Sequence, residues 1–135
     1  MVRLGLVVAT FEGHASVIEE MESHAVAAAE ERDVTVEIVR VPGAYDAPLA
    51  ADRLARRDDV DCVSAIGAIV SGDTDHDQVI ARAAANGLTD VSLRRDTPVT
   101  LGIIGPGMSA DEAAARTDKG AEAVRGAIEL VEELA

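Results

Sequence analysis

The 135 residues fit one compact domain, and no linker, internal repeat or low-complexity segment divides 1–135. With 25 acidic against 12 basic residues the formal net charge is -13, a surface that repels phosphate backbones and anionic bilayers and so excludes nucleic acid and membranes as partners. The 48% apolar fraction supports a core, but one Phe, one Tyr and no Trp leave Ala, Val, Ile and Leu to fill it, and so little apolar area per residue favours further burial between subunits.

Strand and helix patterns alternate along the chain. Arg3 to Thr10 is a β-branched apolar run and reads as a buried strand. From about Ala15 to Glu31 the spacing becomes helical, with Val17, Ile18, Met21, Ala25 and Ala28 on one stripe. Val34 to Val41 alternates as a second strand, and Pro42-Gly43 punctuates it. A second helix is expected over Tyr45 to Arg57, with Pro48 tolerated near its first turn. Asp61 to Val70 reads as the third strand and Asp75 to Gly87 or beyond as the third helix. Pro98 to Ile104 is the fourth strand, ended by Gly105-Pro106-Gly107. Ser109 with Glu112 three residues on forms a capping-box signature for a final helix, with a break expected around Thr117 to Gly120. Alternating strands and helices predict a single-domain α/β fold, a three-layer sandwich around a four-stranded parallel sheet, flavodoxin-like. Ligands of such sheets bind beyond the carboxyl ends of the strands.

Those ends carry the chemistry. Phe11, the only Phe, follows the first strand; it fits a core aromatic or a stacking face for a flat heterocycle equally well. Val41 to Pro48 follows the second; its turn leaves backbone N–H groups free for ligand oxygens, and Asp46 suits either a polyol or the helix dipole. Ser71-Gly72-Asp73-Thr74-Asp75-His76 follows the third. Such a turn can cradle a phosphate, and an imidazole beside it suits a proton carrier near neutral pH. Asp73 works against an anion unless it points outward. His14 and His24 fall in or beside an acidic amphipathic helix and read as surface residues. After the fourth strand come Arg116, suited to a phosphate clamp or to a surface ion pair, and Lys119, the only lysine. Cys62 is the only cysteine; it cannot form an internal disulfide and reads as a buried inert thiol. Met1-Val2-Arg3 leads straight into a strand too short to cross a membrane, so a soluble cytoplasmic protein is expected. The acidic load with one lysine points to a salty cytoplasm. The residues alone imply a small-molecule enzyme with a phosphate-sized anion site beside a histidine.

Read together, four stretches in order resemble the lumazine synthase family, most closely its short archaeal kind. Val41 to Pro48 resembles its VPGA-aromatic-acid-x-P stretch, and Gly67 to His76 its G-x-x-I/V-x-G-x-T-x-H stretch. Pro98 to Met108 is similar to the archaeal fourth strand and loop, and Arg116 with Lys119-Gly120 to the family's arginine and K-G. The resemblance implies condensation of 5-amino-6-(D-ribitylamino)uracil with 3,4-dihydroxy-2-butanone 4-phosphate, without metal or organic cofactor. It implies His76 as general acid/base. It places Phe11 on the pyrimidine and Ala44, Tyr45 and Asp46 at the ribityl chain. Ile69 and Val70 would read the pyrimidine edge. Gly72, Asp73, Thr74 and Arg116 would hold phosphate, and Lys119 would line the site. Leu101 would come from a neighbouring subunit of a homopentamer, alone or in an assembly of pentamers. Four positions depart from the family pattern: Asp46 for a common Glu, Ser71 for a common Arg, Asp73 beside the phosphate, and Leu101 for a frequent Phe. The departure at Asp46 suggests altered reach, and those at Ser71 and Asp73 weaker phosphate binding. An archaeal-type riboflavin synthase, a non-catalytic flavin-binding shell protein and a phospho-receiver domain are the competing readings. The G-x-T-x-H stretch disfavours the first, His76 with Arg116 the second, and the missing acid cluster after the first strand the third.

Overall fold

The computed structural model describes residues 1–10 and 14–135. Four strands pair in parallel in the order β2-β1-β3-β4: β1 (Arg3–Ala9), β2 (Thr35–Val41), β3 (Cys62–Ala68) and β4 (Val99–Ile104). Helix α1 (Ala15–Glu30) joins β1 to β2, and a 3-10 turn (Ala44–Asp46) with α2 (Ala47–Ala55) joins β2 to β3. Helix α3 (His76–Arg95) joins β3 to β4, and α4 (Ala110–Ala114) and α5 (Lys119–Glu133) follow. The chain steps one way from β1 to β2, then reverses through β3 to β4. Right-handed crossovers therefore put α1 on one face and α2 and α3 on the other. Two core layers result: α1 packs with α5 over Leu4, Leu6, Val8 and Ile66, and α2 packs with α3 over Val7, Val63 and Ala65. This is the three-layer, flavodoxin-like α/β sandwich the alternation predicts.

The strands read as they do because of their place in the sheet. Both faces of β1 and β3 are covered, so β3 is buried throughout and β1 from Leu4 onward. The edge strand β2 is mostly half-buried, with Val36 and Ile38 against the α1 layer and Val39 and Val41 against the α2 layer. Ser64, fully buried in β3, shares a 2.7 Å hydrogen bond with Thr100, whose hydroxyl donates to the Ala123 carbonyl at 2.8 Å. That polar relay ties the sheet to α5 and satisfies groups that would otherwise be costly to bury. Cys62 is buried and its thiol is pushed up to about 12 by desolvation, so it is an inert packing group.

Small residues let the layers approach closely. A Cβ at Gly120 would lie 2.6 Å from the Met21 carbonyl oxygen on α1, and one at Gly102 would lie 2.9 Å from Ala123 Cβ on α5. Gly120→Ala must push α5 off α1, and overpacking of this kind costs about 1–3 kcal/mol. We expect Tm to fall by roughly 4–12 °C; an unchanged melting curve would show that the two helices part freely.

One boundary differs from the sequence pattern, and two that it left open are fixed by the structure. Tyr45 lies in the 3-10 turn, and α2 starts at Ala47 with Pro48 in its first turn, where a missing N–H is harmless. Helix α3 runs past Gly87 to Arg95 because Gly87 is a contact point: a Cβ there would meet Pro48 Cγ at 2.7 Å. The same helix is clamped to α2 by Arg95, whose Nε donates to Asp52 Oδ1 at 2.8 Å and holds the Asp52 carboxyl below its usual range. The capping box of Ser109 and Glu112 forms, but it caps only the short α4; residues 115–118 separate it from α5.

Candidate active site

Parallel strands present all their carboxyl ends at one edge of the sheet, and the strand order reverses between β1 and β3, so a crevice is expected there. A cleft of about 270 Å³ opens at this edge. After β2 it is walled by Gly43, Ala44 and Tyr45; after β3 by Ile69, Val70, Gly72 and Thr74; and on α3 by His76, Asp77 and Ile80. Two stretches far apart in sequence thus meet across the end of β1. Thr10, the last described residue of that crossing, donates its N–H to the Val41 carbonyl at 2.8 Å. Phe11 lies outside the described residues.

Each wall has a local cause. The 3-10 turn closes with Asp46 N–H donating to the Gly43 carbonyl at 3.0 Å, which buries Ala44 and leaves Tyr45 64% exposed at the mouth. Asp46 is half-buried beside the turn and does not line the cleft. Beyond β3 the backbone stays straight because Ile69 N–H donates to the Ile104 carbonyl at 2.8 Å and Ser71 N–H to the Met108 carbonyl at 2.9 Å. Gly105 makes this possible: its φ is 95°, and a Cβ there would sit 2.1 Å from the Ile69 oxygen. The Gly72 to Thr74 turn is exposed, with open space about Gly72. Thr74 Oγ1 accepts the His76 N–H at 3.3 Å, fixing the start of α3. His76 is the first residue of that helix and lines the cleft; Asp73 is exposed and does not line it.

Besides Asp46 and Asp73, three further assigned residues lie outside this cleft within one chain. Arg116 sits in the turn between α4 and α5, with Nη1 3.7 Å from Met108 Sδ and Nη2 3.5 Å from Glu112 Oε2. Ser109, through its backbone N–H and then its hydroxyl, holds the Glu112 carboxyl below the usual range. Lys119 pairs with Glu122 at 3.3 Å. Leu101 is 45% exposed on the edge strand β4. Conversely, Gly43, Ala68, Asp77 and Ile80 line the cleft although the sequence analysis singled out none of them. Ile80 was readable, since it lies one helical turn from His76 on the same face. Asp77 had no spacing signal.

A crevice at the switch point of a doubly wound parallel sheet is where such α/β proteins take a small ligand, and this chain is of that class. The family model for 6,7-dimethyl-8-ribityllumazine synthase matches residues 1–135. The chain is 64% identical to a 6,7-dimethyl-8-ribityllumazine synthase of Halorubrum lacusprofundi, with 99% of each chain covered. It is 62% identical to one of Halobacterium salinarum, covering 99% of this chain and all of the relative, and 42% identical to one of Methanocaldococcus jannaschii, covering 99% and 94%. The chain belongs to the 6,7-dimethyl-8-ribityllumazine synthase family of enzymes. Among the described residues, no helix is long and apolar enough to cross a membrane.

Proposed function

We propose that the protein is the transferase of riboflavin biosynthesis that makes 6,7-dimethyl-8-ribityllumazine from 5-amino-6-(D-ribitylamino)uracil and 3,4-dihydroxy-2-butanone 4-phosphate. The observation that carries this is the meeting of Ala44 and Tyr45 with Ile69, Val70, Gly72, Thr74 and His76 around one cleft. The 5-amino group attacks the ketone, and water leaves as the imine forms. The C3 proton is then removed as the C4–oxygen bond to phosphate breaks and phosphate departs, and the resulting enol takes a proton at C4 to become a methyl group beside a C3 carbonyl. The ribitylamino nitrogen closes the ring on the remaining carbonyl, and a second water leaves. Holding two reactants in register supplies much of the rate, since well-oriented intramolecular reactions reach effective molarities of about 10⁵–10⁸ M. The backbone at Ile69 and Val70 reads the pyrimidine edge, and the Ala44–Asp46 turn takes the ribityl chain. The open backbone at Gly72 to Thr74 takes phosphate together with Arg116. His76 moves protons during imine formation and phosphate loss.

Leu101, Arg116 and Lys119 reach the cleft of a neighbouring copy in this reading, in a homopentamer or an assembly of pentamers. The half-exposed Leu101 on an edge strand is the feature that favours it. The test is direct. The purified chain with both substrates should release the lumazine and one phosphate per product, and lumazine alone should yield no riboflavin. Riboflavin from lumazine would favour the competing synthase. Sedimentation should give a pentamer or larger species, and an active monomer would defeat the shared-site reading.

A further inference from the structure

We infer that Asp77 is a positioning residue of the cleft, tying the Gly105–Met108 loop, against which Arg116 packs, to the start of α3 and so fixing the segment after β3 that leads into the Gly72–Thr74 turn. The inference rests on the phosphate reading of that turn. Asp77 is half-buried, lines the cleft, and accepts the Gly107 N–H on Oδ2 at 3.3 Å. The loop it holds contains two residues with left-handed backbone, Gly105 at φ 95° and Gly107 at φ 77°. Glycine segments lose more freedom on ordering than any other, so a fixed path needs anchors. Gly107 N–H on Asp77 is one of them, and Ser71 N–H on the Met108 carbonyl is the next. Met108 is buried, and its sulfur lies against the Arg116 guanidinium at 3.7 Å. A continuous path therefore runs from the histidine-bearing helix through Asp77, Gly107 and Met108 to Arg116. Its other branch, Ser71, adjoins Gly72.

The experiment compares the full chain with Asp77→Ala and with Asp77→Asn, which keeps an oxygen for the Gly107 N–H. Two readouts are taken: amide hydrogen exchange at Gly107 by NMR, and the KM of each substrate separately. In Asp77→Ala, Gly107 exchange should quicken, and the KM for the phosphorylated butanone should rise about tenfold, equivalent to ~1.4 kcal/mol. The KM for the uracil should move less than about twofold, and Asp77→Asn should recover most of both changes. Unchanged Gly107 exchange in Asp77→Ala, or an equal rise in both KM values, overturns the inference. So does an Asn variant as impaired as the Ala variant, which would make the charge and not the tether responsible. If the native chain forms no product, the functional reading itself fails; if it forms product and the KM pair does not split, only the tether fails.

Discussion

Arg116→Ala should raise the KM for the phosphorylated butanone by roughly 10–150-fold while leaving that for the uracil close to native. The range follows from a charge-assisted hydrogen bond worth about 1.5–3 kcal/mol. The guanidinium is available for this task. Its acidic partner among the described residues, Glu112 at 3.5 Å, is half-exposed and already accepts the Ser109 N–H at 3.1 Å on its other oxygen. An exposed pair of that kind yields readily to a phosphate that accepts two parallel N–H donors. The surrounding charge sharpens the effect. In a chain with a net charge of -13, and with Asp73 in the turn, few cations offset a phosphate. Arg116→Lys should recover only part of the loss, because the ammonium keeps charge but not the planar fork. Equal weakening for both substrates would remove Arg116 from the phosphate site.

What the sequence made legible follows from which forces act locally. The buried strands were readable because β1 and β3 are covered on both faces and so need unbroken apolar runs. Their alternation with helices then left one reasonable architecture. The end of α3 was not readable: Gly87 looks like a helix stop until its contact with Pro48 is known. For the cleft, residues just after strands were legible, since topology alone carries Ala44, Tyr45, Ile69 and Val70 to one edge. Asp77 was not, because its role depends on a loop some thirty residues away that the chain brings back only through β4. The separation of Arg116 and Lys119 from the cleft was equally hidden, because no local pattern says how the turn between α4 and α5 lies relative to the strand ends; for Leu101 the family resemblance already implied it. The single lysine and the acidic composition have no counterpart in the fold itself.

His76→Ala should slow turnover at saturating substrates while leaving the melting temperature near native. The structural half of the forecast comes from exposure. His76 is exposed at the first position of α3, and what fixes that helix start is its backbone N–H on Thr74 Oγ1, which alanine keeps. The chemical half comes from place. The imidazole belongs to the lining of a cleft shared with Ala44 and Tyr45, Ile69 and Val70, and Gly72 and Thr74. A group there is in reach of both the condensing amine and the departing phosphate. Positioned acid–base groups contribute about 10²–10⁴-fold. Amines and ketones condense unaided, and the orientation supplied by the cleft survives the substitution, so the loss should fall near or below the lower end of that range. A His76→Asn variant separates polarity from proton transfer: it should resemble Ala, since an amide does not titrate. Full activity in His76→Ala with both substrates saturating would reduce His76 to a surface residue, and the proton shuttle would have to be sought elsewhere on the cleft wall.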